Sequence, residues 1–170
     1  MPTASNHINR REFTKKTLVA GAAVASGAVT VLGQEPKRIR TGVIGCGSVS
    51  GSYLPVLSKC PHVEVVSLCD IRPERARKRA EELKVAHHYP HIDQMLAGEP
   101  FDFLIDLTDM QEHEHLNRQA LAAGKHVWSE KPIANSLAAG QELLRLARQK
   151  KRRLWGAPIT VQSPQFAFMA

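Results

Sequence analysis

One stretch constrains the fold more than any other: IRTGVIGCGSVSGSYLPVLSKCPHVEVVSLCD, residues 39–70. An apolar run from Thr41 to Ile44 meets Gly45-Cys46-Gly47-Ser48-Val49-Ser50, and a helix-like pattern follows. A second apolar run, Val63 to Cys69, ends on a single carboxylate, Asp70. Strand, glycine turn, helix, strand and terminal acid within about 32 residues is the arrangement of a dinucleotide-binding βαβ unit.

The residue types suit that chemistry. Gly45 can adopt the backbone angles that turn a strand into a helix at once. Gly47 has no side chain, so a pyrophosphate can approach the backbone around Gly47, Ser48 and Val49. There the helix N-terminus presents free N–H groups and the positive end of its dipole. Asp70 is placed to accept hydrogen bonds from both hydroxyls of an adenosine ribose. A 2′-phosphate would face its negative charge, so the pattern favours NAD over NADP. Arg72, just beyond, joins Gly45, Gly47, Ser48, Val49 and Asp70 as a candidate cofactor-binding residue. Ser50 occupies the third glycine position of the fingerprint, with Gly51 behind it. Serine is small enough for the close helix–strand packing required there.

Residues 1–33 read differently. A polar, basic start carries Arg10-Arg11-Glu12-Phe13-Thr14-Lys15, and an Ala/Gly/Val-rich run extends from Leu18 to Gly33. Paired arginines ahead of a Phe and a Lys resemble a twin-arginine export signal. The apolar run is short and weak for a membrane span but suits a signal-peptide core. The expectation is an exported, periplasmic protein that engages the twin-arginine export machinery; the alternative is a membrane anchor through the same segment. That route moves folded proteins, which suits a protein that loads a nucleotide in the cytoplasm.

Charge narrows the partners. Arg10, Arg11, Lys15 and Lys16 against Glu12 give the leader a net +3, leaving +4 of the chain's +7 for the other 137 residues. The basic residues concentrate at Arg72 to Arg79, interleaved with acids, and at Arg145 to Arg153. No aromatics interleave with either patch, so nucleic-acid binding is not expected. The three cysteines, Cys46, Cys60 and Cys69, are an odd number without metal spacing, and they read as small buried residues rather than a disulfide framework. His113 and His115 are two apart on a helix and face different ways. No metal site is expected.

After the opening unit the alternation continues. Pro73 to Leu83 reads as a helix with proline in its first turn, and His87 to Tyr89 as a short strand. His91 to Ala97 reads as a brief helix, and Phe101 to Leu107 as a buried strand. Gln111 to Ala123 is a helix with Leu116, Ala120 and Ala123 on one face, and Gly124 is its expected C-terminal cap. His126 to Ser129 is a strand. Ser136 to Lys151 is a long helix with an apolar stripe of Leu137, Gly140, Leu144 and Ala147, and Leu154 to Ala157 a final strand. Strands separated by helices of this size imply an α/β, Rossmann-type, doubly wound parallel sheet. Ligands bind beyond the carboxyl ends of such strands. The glycine loop, the Thr108 to His113 turn and Glu130-Lys131-Pro132 are therefore expected to share one cleft.

The chain from Ile39 onward resembles a known family. Gly124-Lys125-His126-Val127-Trp128-Ser129-Glu130-Lys131-Pro132 is similar to the AGKHV-x-x-EKP signature of the glucose–fructose oxidoreductase and inositol dehydrogenase family. GCGSVSGSYLPVL and CDIRPERARKRAEE fit the same family. The resemblance implies an N-terminal NAD-binding domain over residues 34–158, within an enzyme that moves hydride between a nicotinamide cofactor and a sugar, cyclitol or related alcohol. It implies Lys131 as the catalytic residue. A lysine at a strand's carboxyl end can stabilise negative charge developing on a substrate oxygen. Glu130 is placed to orient that ammonium or to touch the nicotinamide ribose, and Pro132 restricts the backbone, with a cis bond an option. Thr108 and His113 are assigned to the cofactor. Asp109 and Met110 depart from the family's usual residues, and Asp109 brings an acid near the phosphates.

Family members carry a second, C-terminal substrate domain. Nothing here corresponds to it, and residues 159–170 read as the start of the crossover towards it. The chain alone is not expected to catalyse, and a homo-oligomer belongs to the full-length protein. Two further readings stand beside the oxidoreductase. One is a glycoside hydrolase that uses NAD transiently, as some exported relatives do; the other is a non-enzymatic cofactor-binding protein.

Overall fold

The computed structural model describes residues 37–157. The expected leader and crossover lie outside the described residues. Six strands, β1 (Ile39–Ile44), β2 (Val63–Cys69), β3 (His87–Tyr89), β4 (Phe103–Asp106), β5 (His126–Ser129) and β6 (Leu154–Gly156), form one sheet in the order β3-β2-β1-β4-β5-β6. Every neighbouring pair is parallel. Between them run α1 (Ser50–Lys59), α2 (Pro73–Leu83), α3 (Ile92–Ala97), α4 (His113–Ala122) and α5 (Leu137–Gln149). This is the doubly wound sheet that the alternation implies.

Each central strand is apolar on both faces because both are covered. Val43, Leu68 and Ile105 pack with Leu54 of α1 and with Ala76 and Ala80 of α2. Their neighbours Ile44, Cys69 and Leu104 point the other way, into a second core with Met95, Leu116, Leu121 and Leu143 from α3, α4 and α5. Alternation along the strand thus feeds two cores from adjacent residues.

The element ends follow local chemistry. Pro73 starts α2, where its missing N–H costs nothing. Gly124 follows α4 at φ +75°, and the N–H of Lys125 reaches back to the Ala120 carbonyl at 2.9 Å, the left-handed ending expected of that glycine. The Ser136 hydroxyl caps α5 by accepting from the Ala139 N–H at 3.2 Å.

The apolar stripe of α5 needs correction. Leu137 and Leu144 are 81% and 42% exposed, and the buried residues are Ala139, Leu143 and Ala147. Two adjacent stripes on this helix have helical spacing, and packing against the core of the sheet turns Leu143 and Ala147 inward. On α4, Leu116 and Ala120 are buried as expected, whereas Ala123 lies beyond the helix and is exposed.

Candidate functional site

The chain winds from β1 through β2 to β3 on one side, then crosses to β4, β5 and β6 on the other. The loops leaving β1 and β4 therefore diverge at their carboxyl ends and open a crevice. Gly45 makes that geometry possible. Its φ is +91°, and a Cβ on it would stand 2.5 Å from the Leu107 carbonyl carbon and 2.7 Å from the Thr108 nitrogen. Gly47 differs: a Cβ there would meet only the Arg75 guanidinium, at 3.6 Å. The protein itself leaves Gly47 bare toward the cleft, as a pyrophosphate cradle requires. Ser50, wholly buried, donates its hydroxyl to the Gly47 carbonyl at 2.6 Å, so the small residue in the third glycine position also braces the turn.

The cleft encloses about 680 Å³. Gly45, Gly47, Ser48, Val49, Asp70 and Thr108 all line it, together with Ile71 and Arg75. Asp70, 6% exposed, accepts the Cys46 N–H at 2.7 Å on one oxygen and the Arg72 N–H at 2.8 Å on the other. The carboxylate thus clasps the glycine loop to the tip of β2, and each oxygen keeps a lone pair for a ribose hydroxyl. Arg72 contributes its backbone to this clasp. Its side chain is exposed and does not line the cleft; Arg75, one turn into α2, does. Asp109 and Glu112 line the opposite wall, so the acid noted in the sequence does face the cleft.

The Glu130-Lys131-Pro132 loop stands at the carboxyl end of β5, beside the cleft rather than lining it. Lys131 is exposed, and its N–H donates to Glu130 Oε2 at 3.0 Å. Glu130 Oε1 accepts the hydroxyl of Tyr53 from α1, and the Tyr53 ring meets Trp128 edge-on, 5.1 Å between centroids. Burial, then the Glu130 hydrogen bond and charge, pushes the Tyr53 phenol above its ordinary value. The Lys131–Pro132 peptide is cis.

His113, read as a cofactor contact, is 1% exposed and sits behind the loops instead. Its Nδ1 lies 2.7 Å from the Pro132 carbonyl and its Nε2 2.9 Å from the Thr108 carbonyl. Thr108 turns its hydroxyl inward, donating to Asp106 Oδ1 at 2.6 Å. Asp106 is fully buried at the end of β4. Burial pushes its carboxyl above the ordinary value, against the hydrogen bonds from Thr108 and the charge of His113. Asp106 carries the one readable signal among residues the sequence reading missed, a carboxylate inside the apolar run FDFLIDL. Tyr53, Arg75, Asn117 and Ser129 have no such mark. The thiols of Cys46 and Cys69 are buried, and burial raises each to about 12. Among the described residues no three His, Cys, Asp or Glu side chains converge as metal ligands.

A parallel sheet with a glycine-floored crevice at its switch point and an acid at the tip of the second strand defines a dinucleotide-binding domain. Residues 39–157 match the model of the oxidoreductase family with an NAD-binding Rossmann fold, GFO_IDH_MocA. The chain belongs to this family, the glucose–fructose oxidoreductase and inositol dehydrogenase group. It is 31% identical over 108 residues to a D-apiose dehydrogenase of Paraburkholderia graminis, covering 64% of this chain and 29% of that protein. It is 30% identical over 123 residues to a glycosyl hydrolase family 109 protein of Streptomyces niveus, covering 67% and 25% respectively. The fold superposes on the WlbA dehydrogenase of Bordetella pertussis, solved with NADH and UDP-GlcNAcA, with a TM-score of 0.73 at 24% identity. That match covers 78% of this chain and 40% of WlbA. The chain thus spans well under half the length of these relatives.

Proposed function

We propose that this chain is the cofactor-binding half of an exported oxidoreductase that moves hydride between NAD and a secondary alcohol of a sugar, cyclitol or related compound. One observation carries the reading. The bare Gly47 cradle and the Glu130-Lys131-Pro132 loop stand at the same carboxyl edge of the sheet, linked by the Tyr53–Glu130 contact. A dinucleotide laid across the switch point would place its phosphates at Gly47 and direct its nicotinamide towards Lys131. NAD supplies the hydride acceptor. The chain's own residues bind the ribose and phosphates and hold an ammonium where a substrate oxygen gains negative charge. The second wall, which selects the substrate, is proposed to come from a further domain.

The twin-arginine pattern supports loading of the cofactor before export, and replacing Arg10 and Arg11 by Lys should keep the protein out of the periplasm. A second reading is favoured by the family 109 glycosyl hydrolase relative: NAD serves transiently and is regenerated within each turnover. The test is incubation of the enzyme containing this chain with NAD and panels of polyols and glycosides. NADH formation with a polyol supports the oxidoreductase. Glycoside cleavage without NADH supports the second reading, and neither product leaves a cofactor-binding protein without catalysis. Lys131→Ala should lower kcat by about 100-fold with the NAD Kd nearly unchanged. An unchanged rate would remove Lys131 from the catalytic role.

A further inference from the structure

The buried side of the Lys131 loop is tied down by groups that neither the cofactor cleft nor the proposed hydride step uses. His113 faces two carbonyls from different loops, Thr108 after β4 and Pro132 after β5, at 2.9 and 2.7 Å. Asn117 lies four residues on, on the same face of α4, and is fully buried. Its Nδ2 donates to Ser129 Oγ at 3.0 Å and to the Ile133 carbonyl at 3.1 Å. Ser129 Oγ in turn donates to the Glu130 carbonyl at 3.0 Å. The layer thus reaches Ser129, Glu130, Pro132 and Ile133, and Lys131 stands among them. Carbonyl oxygens offer no proton, so each bond needs a donor from His113, Asn117 or Ser129; a neutral imidazole carries one N–H and serves one of its two carbonyls, and only a doubly protonated ring serves both.

Packing alone does not call for these residues. A Leu or Phe would fill the space under the loop without the desolvation cost of a buried imidazole and amide. That cost is already visible in Asn117 Oδ1 and Asp106 Oδ2, which are buried with no hydrogen-bond partner among the described residues. The polar choice is explained if the position of the loop matters.

We propose that His113 and Asn117 are positioning residues that fix where Glu130 and Lys131 stand at the nicotinamide end of the site. This rests on the reading of the cleft as an NAD site, and predicts that the layer affects one end of the cofactor only. ADP-ribose occupies the Gly47 and Asp70 end and lacks the nicotinamide, so it serves as the control ligand.

The experiment titrates the 170-residue chain with NADH and with ADP-ribose by calorimetry. Wild type should bind NADH more tightly than ADP-ribose. His113→Phe keeps the ring shape without its donors and should weaken NADH about 10-fold, the size of one lost buried hydrogen bond. ADP-ribose should stay within about twofold. His113→Gln, whose amide has two N–H groups, should recover much of the loss. Asn117→Leu should reproduce the Phe result and provides the reading if His113→Phe fails to fold. Equal weakening of both ligands, or unchanged NADH binding in both variants, would overturn the positioning role while leaving the cofactor site intact. Failure of wild type to bind either ligand would overturn the cofactor reading and this inference with it.

Discussion

A Cβ on Gly45 would lie within 2.7 Å of three backbone atoms of the β4 loop, at a φ that side chains rarely adopt. Backbone cannot yield as a flexible side chain can. Gly45→Ala should therefore cost about 2–4 kcal/mol in urea unfolding, combining strain with steric clash. Asp70 carries two loads. It clasps the Cys46 and Arg72 N–H groups, and it is the proposed ribose acceptor. Asp70→Ala should lower stability by about 2–3 kcal/mol and bring a preference for NAD over NADP close to unity in parallel titrations. A wild-type chain with equal affinities for the two cofactors would sink the specificity role and leave only the clasp.

At the scale of elements, caps set where helices start and stop, and the sheet sets which face they bury. The Ser136 hydroxyl satisfies one N–H of α5, so Ser136→Ala should cost about 1 kcal/mol of unfolding free energy. Local signals made most boundaries readable, because Pro73 and Gly124 act on their immediate neighbours. The phase of α5 was not readable. Leu144 and Leu143 are equally apolar, and only the sheet against which the helix packs distinguishes them. Residues at the strand tips were legible for the same local reason: a glycine or acid closing an apolar run announces itself. The burial of His113 is not legible in the sequence, since a histidine at a helix start gives no hint that two carbonyls from separate loops enclose it. Asn117 and Ser129 meet only through the pairing of β4 with β5 and the packing of α4.

For the whole molecule, the buried thiols report on integrity. Cys46 and Cys69 are shielded at the ends of β1 and β2, whereas Cys60 is half-buried. Native iodoacetamide labelling read by mass spectrometry should modify Cys60 alone, and the other two only on global unfolding. Their folded values of about 12 lie above the ordinary 9.0. The fold thus favours the thiol form: this stability is complete below about pH 9 and is lost as pH rises from there towards 12. Urea midpoints should fall across that window.

The central claim is that the crevice between β1 and β4 is a dinucleotide site floored by Gly47. Gly47→Ala tests it most directly, because the added methyl meets only Arg75 at an ordinary 3.6 Å and should leave the fold intact. Calorimetric titration with NADH should show binding by wild type and a loss of about 10-fold or more in the variant at unchanged urea midpoint. Equal NADH affinity in the two proteins would contradict the account.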